Sequence, residues 1–224
     1  MLKIKDFIEK TKGKSVFLEH EVKGLLKEMG FSVPKGLFVN EEMIDRISEI
    51  ADISYPLVAK VCSSRIVSKS EVNGIRMALR NEDELRKAVS DLLQIADAEG
   101  VLIEEMAPPG LEVIIGGAID EQFGPIVMFG LGGIFVELFK DVAFALAPMK
   151  TEDARWLIKQ VEGYRLLEGY RGKPPADMHT LLKMIVTVSE IIAAGMIKEI
   201  DLNPVSLYRK GAMVLDAKMS VNIA

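Results

Sequence analysis

Apolar residues recur along this chain with two distinct periods. Val22, Leu25, Leu26 and Met29 fall at i, i+3, i+4 and i+7, which places them on one face of a helix over 19–29. Gly30 follows where a C-cap glycine would close it. Residues 41–51 read as a second amphipathic helix. A third is predicted over 81–98, with Leu85, Val89, Leu92, Leu93 and Ala96 along one side, and two more over 153–162 and 181–194. Short apolar runs bounded by turn residues predict strands over 55–61, 75–79, 101–106, 112–119, 125–129, 197–202 and 212–215. Asp120 to Gly124 reads as a hairpin loop, and Ala107-Pro108-Pro109-Gly110 as a turn. Hairpins beside long helices favour an α+β fold in two lobes over a regular βαβ repeat. The Pro-Pro-Gly turn after the strand at 101 suggests lobes of residues 1–100 and 101–224.

The composition narrows the chemistry. The chain has 224 residues, enough for one large domain or two small lobes, and its net charge of −5 argues against a general nucleic-acid binder. A single cysteine, Cys62, and two histidines, His20 and His179, leave no intrachain disulfide and no Cys/His zinc cluster. A reducing cytoplasm is the expected location. The first residues lack the apolar core of a signal peptide. The longest apolar stretch, around 125–135, is broken by glycines and falls short of the roughly 18 residues that span a bilayer. Both histidines are expected on helix surfaces, Cys62 half-buried, and Trp156 and the methionines in packing roles.

Four segments could carry chemistry. Lys60 closes an apolar strand, where a charge is either solvated or, facing a cleft, available to phosphate oxygens. The polar stretch Ser63 to Gly74 holds four serines, Arg65 and Lys69, and could equally be a surface hairpin or a phosphate loop. Gly130-Leu131-Gly132-Gly133 permits close backbone approach but is neither a Walker motif nor a full dinucleotide fingerprint. In Glu199-Ile200-Asp201-Leu202-Asn203, strand alternation turns Glu199, Asp201 and Asn203 to one side and the aliphatics to the other. Asp216 ends the following strand, so an antiparallel pair would bring it to Asn203. An amide and a carboxylate suit Mg²⁺, which also takes phosphate oxygens; a solvated hairpin face has the same pattern.

Taken together, several segments resemble one family. They are Tyr55-Pro56-Leu57-Val58-Ala59-Lys60, Lys69-Ser70-Glu71-Val72-Asn73-Gly74-Ile75, the run Gly124 to Glu137, Lys140-Asp141-Val142, Gly169 to Pro175, and Glu199-Ile200-Asp201-Leu202-Asn203-Pro204-Val205. Over about residues 16–222 the chain resembles the β subunit of ADP-forming acetyl-CoA (acyl-CoA) synthetases, an ATP-grasp module. The resemblance implies an ATP-grasp fold whose two α+β lobes hold ATP or ADP between them. It implies catalytic positions at Lys60, Ser68 and Glu137, and nucleotide contacts from Lys60, Lys69, Glu104, Met106 and Glu112. It implies Mg²⁺ ligands Asn203 and Asp216, with Asp201 nearby. It also implies a separate CoA-binding α subunit whose phosphohistidine exchanges its phosphoryl group with ADP, in a hetero-oligomer needing neither nucleic acid nor membrane.

Two departures stand out. Where the family loop carries a histidine this chain has Ser68, whose hydroxyl cannot form a phosphoramidate. Ala145 stands where many relatives are expected to have arginine, which would remove positive charge near the site. A non-catalytic nucleotide-binding paralogue that regulates an α partner, and a different ATP-grasp carboxylate ligase, are the competing readings.

Overall fold

The structure, a computed structural model, describes residues 2–11, 13–44, 47, 53–133, 140–172 and 174–221. In chain order its elements are α1 (Leu2–Lys10), α2 (Glu19–Glu28), β1 (Gly36–Val39), β2 (Leu57–Cys62), β3 (Ile75–Leu79), α3 (Glu82–Leu93), β4 (Gly100–Glu105), β5 (Leu111–Asp120), β6 (Gly124–Leu131) and β7 (Val142–Leu146). They continue with α4 (Thr151–Ile158), a 3₁₀ turn (Glu162–Leu166), α5 (Met178–Ala193), β8 (Glu199–Leu207), β9 (Ala212–Val214) and β10 (Ala217–Ser220). The expected α+β mixture is present. Two compact units emerge, a smaller one from Leu18–Glu21 and Pro34–Pro108 and a larger one from Met1–Phe17, Val22–Val33 and Pro109–Ala224. The chain changes unit within the Pro-Pro-Gly turn rather than at residue 100, because β4 is hydrogen-bonded between β1 and β2.

In the smaller unit four antiparallel strands run in the order β1-β4-β2-β3. The carboxamide of Asn81 accepts the Glu84 N–H at 2.9 Å and so starts α3, whose first turn is acidic. α3 buries Leu85, Ala88, Val89 and Leu92 against the sheet face formed by Leu57, Ala59, Val61, Val101 and Ile103. It stops at Leu93, short of the predicted 98. Asp97 takes a left-handed φ of 64°, and i→i+3 turns at 92–98 replace the helix. Of the helix predicted over 41–51, residues 41–44 form a 3₁₀ turn, and 45, 46 and 48–51 lie outside the described residues.

In the larger unit the sheet order is β10-β8-β5-β6-β7, all antiparallel, with β9 pairing the far end of β8. Its two faces differ in kind. Val113, Ile115, Val127, Phe129, Leu131, Ile200 and Leu202 point to the side covered by α4 and α5 and form the main core. Gly117 lies on that side, and a Cβ there would come within 3.2 Å of Val188 and 3.3 Å of Ile192 on α5, so a larger residue would press on the helix. The opposite face carries Gly116, Ala118, Met128, Phe144, Asp201 and Asn203. Trp156, expected to pack, is 55% exposed on α4. Cys62, expected half-buried, is 1% exposed in the smaller unit. His179 is exposed as expected, whereas His20 is half-buried and stacks on Phe38 with ring centroids 4.0 Å apart. No helix among the described residues is long and apolar enough to cross a membrane.

Asp177 ties α5 to the β8–β9 turn. Its carboxylate accepts Thr180 N at 3.0 Å and Gly211 N at 2.7 Å, and these backbone donors hold its carboxyl below the usual aspartate range. Replacing it with alanine should lower the unfolding free energy by about 1–2 kcal/mol, the typical cost of a lost N-cap. Asp177→Asn keeps an acceptor and should cost much less. Urea denaturation of both variants checks the order.

Candidate functional site

Lys60 is not at a strand terminus. It is the fourth residue of six in β2, opposite Leu102 of β4 and Ile75 of β3, and only 7% exposed. It belongs to the sheet face that α3 does not cover. The strand register sets Glu104 diagonally across from it, and Lys60 Nζ donates to Glu104 Oε2 at 2.8 Å. Glu19, from the first turn of α2, accepts a second hydrogen bond from Lys60 Nζ at 2.9 Å through Oε1. The other oxygen of Glu19 lies 2.9 Å from Lys69 Nζ. Glu19 and Glu104 are themselves 5% and 1% exposed. Charges removed from water to this extent persist only when paired and hydrogen-bonded. The solvated alternative for Lys60 is therefore excluded.

The polar stretch 63–74 is an ordered loop of turns between β2 and β3. Ser63 Oγ accepts Arg65 N at 3.0 Å and Ile66 N at 3.2 Å, so this serine closes its own turn. Gly74 N donates to Lys69 O at 2.6 Å, and Val61 N donates to Gly74 O at 2.8 Å, which pins the base of the loop to β2. A Cβ on Gly74 would lie 2.4 Å from Val61 Cγ1, so only glycine fits. Ser68 is half-buried, and its Oγ accepts Glu71 N at a long 3.4 Å. Of the residues expected near a nucleotide, Glu104 has its carboxylate committed to Lys60, and Met106 donates its N–H to Pro56 O at 3.0 Å while leaving part of its side chain exposed.

The second cluster sits on the open sheet face of the larger unit. Glu199, Asp201 and Asn203 share that face while Ile200 and Leu202 are buried beneath it, as alternation requires. Between the pairs Val113–Val205 and Ile115–Leu202, one β5 residue opposes Asn203 and Pro204 together, which is a β-bulge. Pro204 has no N–H for a ladder, so the bulge is where it can be accommodated. At the same point β9 gives way to β10. Asp216 lies between these strands rather than at the end of one, and Asn203 N donates to Asp216 O at 3.1 Å. Asn203 and Asp216 thus come together as expected. A depression of about 210 Å³ beside them is lined by Gly116, Gly117, Met128, Phe144, Asp201 and Asn203, among others.

Burial first, then the neighbouring carboxylates of Asp216 and Glu199, push the Asp201 carboxyl above its usual range; Lys218 and Asn203 oppose the shift. Asp201 Oδ1 is buried with no hydrogen-bond partner among the described residues. Crowded carboxylate oxygens and an orphaned acceptor fit a hard cation. No group of three His, Cys, Asp or Glu side chains that could hold a metal occurs among the described residues. A cation at Asp201, Asn203 and Asp216 would therefore draw its remaining ligands from water or phosphate, which suits Mg²⁺.

Glu112 is exposed on β5, with its backbone O accepting Gly132 N at 2.8 Å. Glu137 lies outside the described residues. Ala145 pairs with Val127 and packs on the helix-covered core, so its departure from arginine removes no charge from the Asp201 face. Sequence reasoning missed Glu19: an acidic residue in a first helical turn reads as an ordinary helix-dipole partner. It also missed Lys23, buried on α2 in the larger unit, whose Nζ donates to Leu215 O, next to Asp216, at 2.7 Å.

Comparison with known proteins shows the family. Residues 9–221 match the ATP-grasp domain family. The chain is 41% identical over 227 aligned residues to the subunit beta of an ADP-forming acetate–CoA ligase I from Pyrococcus furiosus, covering 97% of each. It is 41% identical over 206 residues to the ADP-forming acetate–CoA ligase II of Archaeoglobus fulgidus, of which it spans only 30%. Among solved structures it superposes with a TM-score of 0.82 and 39% identity on an acetyl-coenzyme A synthetase 1 of Ca. Korarchaeum cryptofilum, covering 98% of this chain and all of that one. That structure holds coenzyme A and Mg-AMPPCP, with a phosphohistidine segment pointing towards the nucleotide-binding site.

Two outcomes follow from the charge geometry. Lys60→Met leaves Glu19 facing Glu104 with less compensation and should destabilise the chain by about 3–5 kcal/mol, read by denaturant unfolding. Asp201 should act in the opposite sense. Its folded pKa is raised above the ordinary aspartate value, so the folded state holds the proton over that window and stability falls as pH rises through it. In the absence of divalent cations, Asp201→Asn should therefore melt above wild type at neutral pH, and the gap should close as pH falls towards 4. Melting curves across pH check this.

Proposed function

This chain belongs to the ATP-grasp family, and from that premise we propose that it is the nucleotide-binding subunit of an ADP-forming acyl-CoA synthetase. The observation that carries the reading is the coextensive match to a beta subunit, covering 97% of both chains. The chain spans 30% of the longer Archaeoglobus enzyme, and the Pyrococcus relative is named as a beta subunit, so a separate CoA-binding α subunit is the expected partner, in a hetero-oligomer.

The chemistry is transfer of a phosphoryl group between a partner phosphohistidine and ADP. The P–N bond to histidine breaks and a P–O bond to the terminal ADP oxygen forms; the reverse consumes ATP. Such transfers are catalysed chiefly by positioning and by neutralising phosphate charge. Lys60 and Lys69 are the cations this chain offers to phosphate oxygens. Asp201, Asn203 and Asp216 would hold Mg²⁺, which supplies further charge neutralisation when bound. Ser68 can orient a phosphate by hydrogen bonding but cannot carry the phosphoryl group as a histidine would, so transfer would run directly from the partner's histidine to the nucleotide. Glu112, Glu104 and Met106 complete the proposed nucleotide contacts. Because Glu104 is held by Lys60, its contribution is to set that lysine. Glu137 keeps its proposed catalytic position.

Calorimetric titration with ATP and ADP, with and without Mg²⁺, should show Mg²⁺-dependent binding. Lys60→Ala and Asp216→Ala should each weaken it at least about tenfold, as expected for losing a contact to a charged group. Adding the CoA-binding partner with phosphorylated histidine should then convert ADP to ATP. Binding without transfer would favour the regulatory paralogue suggested by Ser68. Absence of nucleotide binding both alone and with the partner would overturn the proposal.

A further inference from the structure

We propose that Glu19 is a positioning residue whose single carboxylate clamps Lys60 and Lys69 together and competes with nucleotide phosphates for them, so that it sets how tightly nucleotide is held. This rests on the reading of the two lysines as phosphate-binding groups.

The geometry separates Glu19 from an ordinary helix-start carboxylate. The N-terminal turn of α2 is already capped by Glu21, whose Oε2 accepts Leu18 N at 2.8 Å while Glu21 N donates to Leu18 O at 3.0 Å. Glu19 is turned to the lysines instead, with one oxygen 2.9 Å from each ammonium. Glu104 pairs with Lys60. Glu19 is thus the carboxylate that spans a lysine fixed in a strand and a lysine carried by the neighbouring loop.

The charge balance gives this arrangement a consequence. Among these four groups, two ammoniums and two carboxylates, the formal charges cancel. A neutral cluster meets the cost of burying Lys60 and Lys69 when no nucleotide is present. It also offers a polyphosphate no net attraction: phosphate oxygens must exchange with Glu19 and then sit beside it. Like charges at such separations repel strongly in a poorly solvated site. Glu19 therefore keeps the lysines aligned but restrains affinity, which favours exchange of ADP for ATP between turnovers.

The test is titration of the full chain with MgADP and, separately, with inorganic pyrophosphate, for wild type, Glu19→Gln and Glu19→Asp. Glu19→Gln keeps an acceptor for one lysine and removes the negative charge, and should bind both probes about tenfold tighter, with a steeper loss of affinity as salt is raised. Glu19→Asp keeps the charge but is too short to span both ammoniums, and should bind about threefold tighter; it carries the test by itself if the glutamine variant does not fold. A residue that only maintained the fold would give the opposite sign. Equal or weaker binding by the variants, with wild type binding MgADP, overturns the proposal and leaves the nucleotide-binding reading standing. Failure of wild type to bind either probe, alone or with its partner, removes the reading and the proposal together.

Discussion

A lysine ammonium inside a sheet has to be neutralised, and the smaller unit is organised around the carboxylates that neutralise Lys60. Strand register delivers one of them: with Lys60 opposite Leu102 and Val58 opposite Glu104, the two side chains meet on one face of neighbouring strands. The other, Glu19, arrives from a helix 41 residues earlier in the chain. The face beneath α3 could be closed with aliphatic side chains alone. The Lys60 face could not, and its charges are the reason that a helix start, a strand and a loop lysine converge on one place.

The larger unit divides the same problem between two faces of one sheet. Packing on the helix side is apolar and includes Gly117, where α5 comes close enough that a Cβ would press on Val188 and Ile192. The open side collects Glu199, Asp201 and Asn203 along one strand, and the bulge at Asn203–Pro204 presents them to Asp216. Burial, and then the neighbouring carboxylates of Asp216 and Glu199, raise the affinity of Asp201 for a proton, and a divalent cation would relieve the same repulsion.

Ser68 and Ala145 illustrate how a departure from a family pattern has to be judged by position. Ala145 is a core residue on the covered face, and its size rather than its missing charge matters there. Ser68 lies in the loop just before Lys69, where a hydroxyl in place of an imidazole changes what the loop can do chemically while leaving the lysine in place.

Much of this was legible in the residues themselves. Alternation along 199–203 correctly separated the polar from the buried side, because a strand repeats every two residues whatever surrounds it. The hairpin at 120–124, the α2 terminus at Gly30 and the approach of Asp216 to Asn203 follow from similarly local rules. Helix ends were less legible: the apolar period of α3 runs on to Ala96, yet the helix ends at Leu93 and gives way to i→i+3 turns that pass through a left-handed Asp97. The sequence by itself determined the hairpin of β5 and β6, the strands β2, β3, β4 and β8 and the apolar faces of α2 and α3, but not α1, β7 or β10. Tertiary structure alone decided that Lys60 is buried mid-strand, that Glu19 rather than water neutralises it, and that Ala145 belongs to the core. These depend on contacts between residues far apart in the chain, and the energy of a charge is set by such neighbours and not by its place in the sequence.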